Sequence, residues 1–304
     1  MTLCLFPQRF AKTAVPVAAG LVVFLIFLAA ACGPAGAKMG PDYFQPLKER
    51  IMADPDVDVP PEVVETIFSD PRLFFETRGI SAYFRHREAT LNYDQFMSER
   101  SIDNALRYLE THKDALASAE EEYGVDREII TAILLVETRL GTFTGSQRAV
   151  NILGTMAALS DPSTRNFFYA QIPEEGRISR ERYDSRADAR AEWAYRELKA
   201  LIEYTQRDNF DIFEIESSYA GAVGFAQFMP TNILSLGVDA TNDGRVNLFE
   251  HEDAIFSIAN YLRHHGWRPG IGREKAKEVL LHYNRSTYYA NILLRIYDRL
   301  KEAS

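Results

Sequence analysis

The stretch YGVDREIITAILLVETRLG, Tyr123–Gly141, decides how the rest of the chain is read. Gly124 and Gly141 bracket it, as residues that end helices often do. Asp126 offers an N-cap, so the pattern predicts a helix from Arg127 to about Arg139. Ile129, Ile130, Ala132, Ile133, Leu134, Leu135 and Val136 go right round that helix, which is therefore expected to be central and buried. Yet the apolar run leads straight into Glu137. An ionised carboxylate in apolar surroundings is unfavourable unless paired, so the Glu137 pKa is expected to rise. Two readings follow: Glu137 pairs with Arg139 or another arginine and steadies a helix end, or it is a general acid kept protonated near neutral pH.

Working outward, helical periodicity dominates. A short helical pattern lies near Phe44 to Met52, and Pro61 opens another helix. Ser101 to Tyr123 carries apolar residues three and four apart, as an amphipathic helix or a helix pair. Arg165 to Arg190 is dense in mixed charge, Pro and Gly, and reads as an exposed excursion or small lobe. Helices are expected again over Arg190 to Arg207, Asp253 to Gly266 and Glu274 to Ala303. Alternating strand patterns are almost absent, so the class is mainly α.

The chain has 304 residues, 46% hydrophobic and 25% charged, with a net charge of −9. These values fit a soluble globular chain, and the negative charge argues against nucleic acid as a partner. The first 37 residues differ: Arg9 and Lys12 precede an apolar run from Val15 to Ala31, then small residues. That is the layout of an export signal, though a single membrane anchor is the alternative. Leu28-Ala-Ala-Ala-Cys32 looks like a lipobox, with Ala29 where a larger aliphatic residue is usual, and Cys32 would then be lipidated. Ala35-Gly36-Ala37 fits ordinary signal cleavage instead. Cys4 is the other cysteine, so the mature chain is expected to have no disulfide.

A second motif, SSYAGAVGFAQFMP at Ser217–Pro230, combines small residues that allow close backbone approach with Gln227, polar among Phe225, Phe228 and Met229. It reads either as a tight packing loop or as a groove wall offering hydrogen bonds to an extended polar ligand.

Together these stretches resemble the membrane-bound lytic murein transglycosylase B family of the lysozyme-like superfamily. The first motif resembles that family's catalytic helix with its Glu-Thr-Arg-x-Gly signature. The second resembles its Ser-x-Ala-Gly-Ala-x-Gly block, with Val223 where methionine is usual. DATNDGRVNLFEHEDAIFSIANYLRHHGW and HYNRSTYYA resemble two further blocks in the same order. The resemblance runs from about Tyr43 to Leu300.

It implies a lysozyme-like α domain over 101–304 with an excursion near 161–190, and an N-terminal helical segment over 38–100 packing on it. It implies Glu137 as sole acid/base, cleaving the MurNAc–GlcNAc β-1,4 bond of peptidoglycan to give 1,6-anhydroMurNAc ends. Ser218, Gln227, Tyr261, Tyr283, Asn284 and Tyr289 would bind the glycan. The expected protein is a periplasmic monomer, held to the outer membrane through Cys32. A lysozyme-like hydrolase and an inactive peptidoglycan-binding lipoprotein are the alternatives.

Asp239, Thr241 and Asp243, followed by Gly244, match the first half of an EF-hand-like loop. Glu250, His251 and Glu252 occupy the stretch where the bidentate glutamate usually closes such a loop, and the resembled family takes its last carboxylate later, at Asp253. The resemblance implies a structural Ca2+ or Na+ held by Asp239, Thr241, Asp243, the Arg245 carbonyl and Asp253. The other reading is a metal-free Asn-Asp-Gly turn. No cofactor is expected for the chemistry. The family carries a long insertion where this chain has only Arg268–His282, so groove ends and strand-end preference do not transfer.

Overall fold

Helix α5 (Arg127–Thr138) runs through the middle of the molecule, because no face of it is polar enough to meet water. Ile129, Ile130, Ala132, Ile133 and Leu134 are completely buried. The computed structural model describes residues 43–77, 92–174 and 177–303; the signal segment, both cleavage sites and Cys32 lie outside them.

Ahead of α5 come α1 (Gln45–Ala53), α2 (Pro61–Ser69), a 3-10 helix (Tyr93–Met97), α3 (Glu99–Thr111) and α4 (Lys113–Tyr123). After it come β1 (Gln147–Arg148), α6 (Ala149–Ala158), α7 (Pro162–Gln171), α8 (Arg180–Arg207), β2 (Glu216–Ser217) and α9 (Pro230–Leu236). The series ends with α10 (His251–His264), α11 (Arg273–Tyr283) and α12 (Thr287–Ala303). The pair α3–α4 breaks at His112, and α4 ends on Gly124 with φ +64°, a left-handed position that favours glycine. α5 packs against α3, α4, α10 and α12, while α6 packs along α8. β1 and β2 form one antiparallel pair, Gln147 opposite Ser217. Among the described residues no helix is long and apolar enough to cross a membrane.

The segment read as an excursion is mostly helical. α7 and the first half of α8 occupy it, and α8 is unbroken over 28 residues. Tyr183, Ala187, Ala191, Ala194, Leu198 and Leu201 form one buried stripe at spacings of three and four. The Tyr183 ring stacks on Phe168 at 6.2 Å, and Phe75 meets Phe168 at 5.9 Å. The dense charges sit on the outer face, as in the Arg180–Asp184 pair.

Asp126 stands at the N-cap position of α5, but its side chain does not cap the helix. Its carboxylate instead accepts Trp267 Nε1 (3.0 Å), Tyr297 Oη (3.0 Å) and Lys301 Nζ (2.6 Å). Buried Trp267 and the end of α12 claim it, which fastens the start of α5 to the C-terminal helix.

Candidate active site

The buried run of α5 ends at the wall of a cleft of about 860 Å³, and Glu137, half-buried in the last turn, opens into it. The helix stops there because Arg139 (φ +50°) and Leu140 (φ +61°) turn left-handed, with Leu140 N–H donating to the Leu134 carbonyl at 2.9 Å. Arg139, the partner in the helix-end reading, directs its guanidinium to Gln95 Oε1 at 3.5 Å.

One Glu137 oxygen is held firmly. Tyr289 Oη donates to Oε1 at 2.5 Å. Tyr289 is 1% exposed, and burial, reinforced by the Glu137 charge, pushes its hydroxyl well above the ordinary tyrosine range. It therefore stays a donor across the whole working pH range. Tyr283 lies parallel to it at 6.3 Å and donates to the Ala226 carbonyl at 2.5 Å. Burial, then Glu137, also raises its pKa. Tyr93 meets Tyr289 edge-on from the 3-10 helix. Removing the Tyr289 hydroxyl should free the Glu137 carboxyl without emptying the core: Tyr289→Phe is expected to lower the kcat of a reaction that uses Glu137 about tenfold or more, with Tm little changed. Steady-state kinetics beside thermal melting checks this, and an unaltered kcat contradicts it.

The second motif forms the facing wall. Val223 and Phe228 exchange backbone hydrogen bonds of 2.8 and 3.1 Å, closing a tight turn around Gln227, whose φ is +50°. Gln227 Nε2 donates to the Thr144 (3.2 Å) and Gly224 (2.9 Å) carbonyls. Both amide hydrogens are then used, so its Oε1 is the atom presented to a ligand. Ser218 Oγ accepts the Ala220 and Ala222 N–H groups at 3.3 and 3.2 Å, which leaves its own hydrogen to offer. Asn284, just past α11, accepts Ser286 N–H at 3.1 Å.

The cleft thus brings together Glu137, Ser218, Gln227, Tyr283, Asn284 and Tyr289. It does not include Tyr261. That ring lies behind Tyr283 at 4.9 Å and against Phe228 at 5.3 Å, and its hydroxyl donates to the His282 carbonyl. Tyr261 supports the groove wall rather than lining it. Sequence reasoning missed Tyr93, Phe143, Arg190 and Trp193, all of which line the cleft. A tryptophan beside an arginine on the otherwise charged stretch of α8 was the available signal, and Arg190 lies over the Trp193 ring at 5.9 Å.

Behind α9, the loop Asp239–Asp253 is folded around its acidic side chains. Asp239 accepts Asp243 N–H (3.2 Å) and Gly244 N–H (2.9 Å), and Asp243 accepts Arg245 N–H (3.0 Å). Asp253, fully buried in the first turn of α10, accepts Ala240 N–H (2.9 Å) and Asn247 N–H (2.6 Å). Burial raises its pKa, and the Asp239 charge adds to this. Glu250 is turned to Asn247 Nδ2 at 2.7 Å instead. Hard oxygen donors around a buried anion fit a Ca2+- or Na+-sized ion. Among the described residues, the three acidic side chains with oxygens within 4.8 Å of one another are elsewhere: Glu120, Asp126 and Glu128. Arg127 and Lys301 already pair with the first two.

Comparison with known proteins finds a matching family and similar structures. Residues 52–276 match the transglycosylase SLT domain family. Membrane-bound lytic murein transglycosylase B of Escherichia coli (strain K12) is 31% identical over 189 residues, covering 62% of this chain and 43% of that protein. The chain therefore aligns with less than half the length of that relative. The crystal structure of soluble lytic transglycosylase SltB1 from Pseudomonas aeruginosa superposes with a TM-score of 0.68 at 23% identity, covering 86% of this chain and 98% of that one. The Escherichia coli lytic transglycosylase Slt35 in complex with calcium gives 0.65 at 21% identity, covering 86% and 93%. The two structures share the mainly helical fold described above. With the family pattern spanning most of the chain, from the end of α1 into α11, the protein belongs to the transglycosylase SLT domain family.

Proposed function

We propose that the protein is a lytic transglycosylase that cleaves the MurNAc–GlcNAc β-1,4 bond of peptidoglycan and leaves a 1,6-anhydroMurNAc end. One observation carries this reading: among the described residues lining the cleft, Glu137 is the only carboxylate. Glycosidases that deliver water ordinarily need two carboxyl groups, about 5–9.5 Å apart. A site with one must recruit its nucleophile from the substrate.

Glu137, as the acid, protonates the glycosidic oxygen as the bond breaks. The sugar's own N-acetyl oxygen supports the oxocarbenium-like centre, and the Gln227 Oε1 and Ser218 hydroxyl hold that acetamido group in place. Glu137, now a carboxylate steadied by Tyr289, removes the proton of the 6-hydroxyl, which closes on the anomeric carbon. The internal hydroxyl is always in place, so it outcompetes water. Incubating the protein with purified peptidoglycan is expected to release soluble fragments. Intact peptidoglycan after prolonged digestion would refute the reading.

The loop Asp239–Asp253 holds a structural Ca2+ or Na+ through the Asp239, Asp243 and Asp253 carboxylates, Thr241 and the Arg245 carbonyl. The hard donor set supports this, as does calcium in the Slt35 relative. The ion neutralises the clustered acidic side chains, of which Asp253 is buried, and takes no part in the reaction. Calcium at about 100 times its Kd is expected to stabilise the fold by about 2.7 kcal/mol, raising Tm. Asp239→Asn should abolish most of that increment. Equal melting of both proteins with calcium and with a chelator contradicts the assignment.

The N-terminal segment exports the chain, and a lipid on Cys32 attaches it to the outer membrane with the catalytic part, a monomer, in the periplasm. The basic, apolar and small-residue layout of residues 1–37 supports this, and the Escherichia coli relative is itself named membrane-bound.

A further inference from the structure

Single exposed apolar side chains are ordinary on protein surfaces. Phe143 and Tyr219 are not scattered singly. Phe143, on the loop leaving α5, is 67% exposed, and Tyr219, just after β2, is 37% exposed. Both line the cleft that holds Glu137. Their loops are locked side by side. A Cβ on Gly145 would meet the Ser217 carbonyl oxygen at 2.1 Å and Ser218 N at 2.8 Å, so the two backbones nearly touch. The β1–β2 pairing of Gln147 with Ser217 continues the contact. The Phe143 position is anchored too, since its N–H donates to the Thr138 carbonyl at 3.0 Å. Thr144, Ser146, Gln147 and Ser218, on the same two loops and strands, also line the cleft.

We propose that Phe143 and Tyr219 form an aromatic platform that stacks one further sugar ring of a glycan strand, beyond the two rings that flank Glu137. The inference rests on the glycan reading above and extends it to strand length. A pyranose presents an apolar C–H face and a rim of hydroxyls, which is what two aromatic faces in a cleft also lined by hydroxyl and amide groups receive. The platform is continuous with the cleft, so its occupant is the same strand. Two rings are too small a patch to seat a protein partner.

The test is calorimetric binding of peptide-free glycan strands of graded length to the Glu137→Gln protein, which holds them uncleaved. Affinity should rise when the strand becomes long enough to reach the platform. Phe143→Ala and Tyr219→Ala should each weaken the long strand about three- to tenfold and flatten the long-to-short ratio. Phe143→Trp should keep the ratio. Tyr288→Ala, at an aromatic 63% exposed and outside the cleft lining, should keep it too. Phe143 is exposed enough that its loss should leave Tm unaltered, which melting checks directly. A ratio unaffected by Phe143→Ala, an equal loss at every length, or no binding at any length overturns the platform. Length-dependent binding that Phe143→Ala removes, without any cleavage by the wild-type protein, overturns the reaction and leaves the platform standing.

Discussion

Glu137→Gln is expected to lower peptidoglycan turnover by about a hundred- to ten-thousandfold while glycan affinity survives. The amide keeps the shape of the side chain, and its carbonyl oxygen can still accept the Tyr289 hydroxyl hydrogen that now reaches Oε1. It can neither give a proton to the glycosidic oxygen nor take one from the 6-hydroxyl. Both halves of the proposed reaction use this one group, and no other described carboxylate lines the cleft to take its place. The measurement is solubilised glycan per unit time, set beside binding of uncleaved strands. Near-normal turnover in the variant would remove Glu137 from the mechanism. Loss of binding along with turnover would point to a collapsed cleft.

Gly224→Ala should be the most damaging small substitution near the site. Gly224 has φ +69°, and a Cβ there would lie 2.4 Å from Leu248 Cβ and 2.5 Å from the Leu248 carbonyl oxygen. The next residue, Phe225, donates its N–H to that same carbonyl at 2.7 Å. The turn carrying Gln227 is thus pressed against the backbone of the Asp239–Asp253 loop, and the added methyl must push it away. The expected loss is about 3 kcal/mol or more, from strain and a broken close approach together. Gly270→Ala is the matched control. Gly270 has φ +72° but nothing within 4 Å of its Cβ position, so only the left-handed conformation is penalised, by about 1–2 kcal/mol. Denaturant unfolding of the two variants separates the effects. Equal losses would mean that conformation alone matters and that the contact with Leu248 does not position the turn.

What could be read in the chain alone depended on whether a signal was local. The α5 helix announced itself, because seven aliphatic residues from Ile129 to Val136 leave no polar face and few alternatives. The ends of α2 and α4 followed from Pro61 and Gly124. The α8 helix was half hidden. In its first half the buried stripe uses alanines and one tyrosine, weak hydrophobes that are easily outvoted by the surrounding Arg, Asp and Glu. Asp126 had the right residue type and position for a cap, yet three donors from distant parts of the chain claimed its oxygens. No local rule anticipates that competition. Tyr261 and Tyr283 look alike in sequence, and only packing decides which ring faces the cleft and which stands behind it. Phe143 and Tyr93 carry no periodic signal at all, since loops and a 3-10 turn bring them to the wall.

The most direct measurement is the mass of the new glycan ends released from purified peptidoglycan by the wild-type protein. A single carboxylate working with an internal nucleophile predicts anhydromuramyl ends, each lighter by one water than a hydrolysed end. Reducing ends of full mass would show that water is the nucleophile, contradicting the one-carboxylate mechanism built on Glu137.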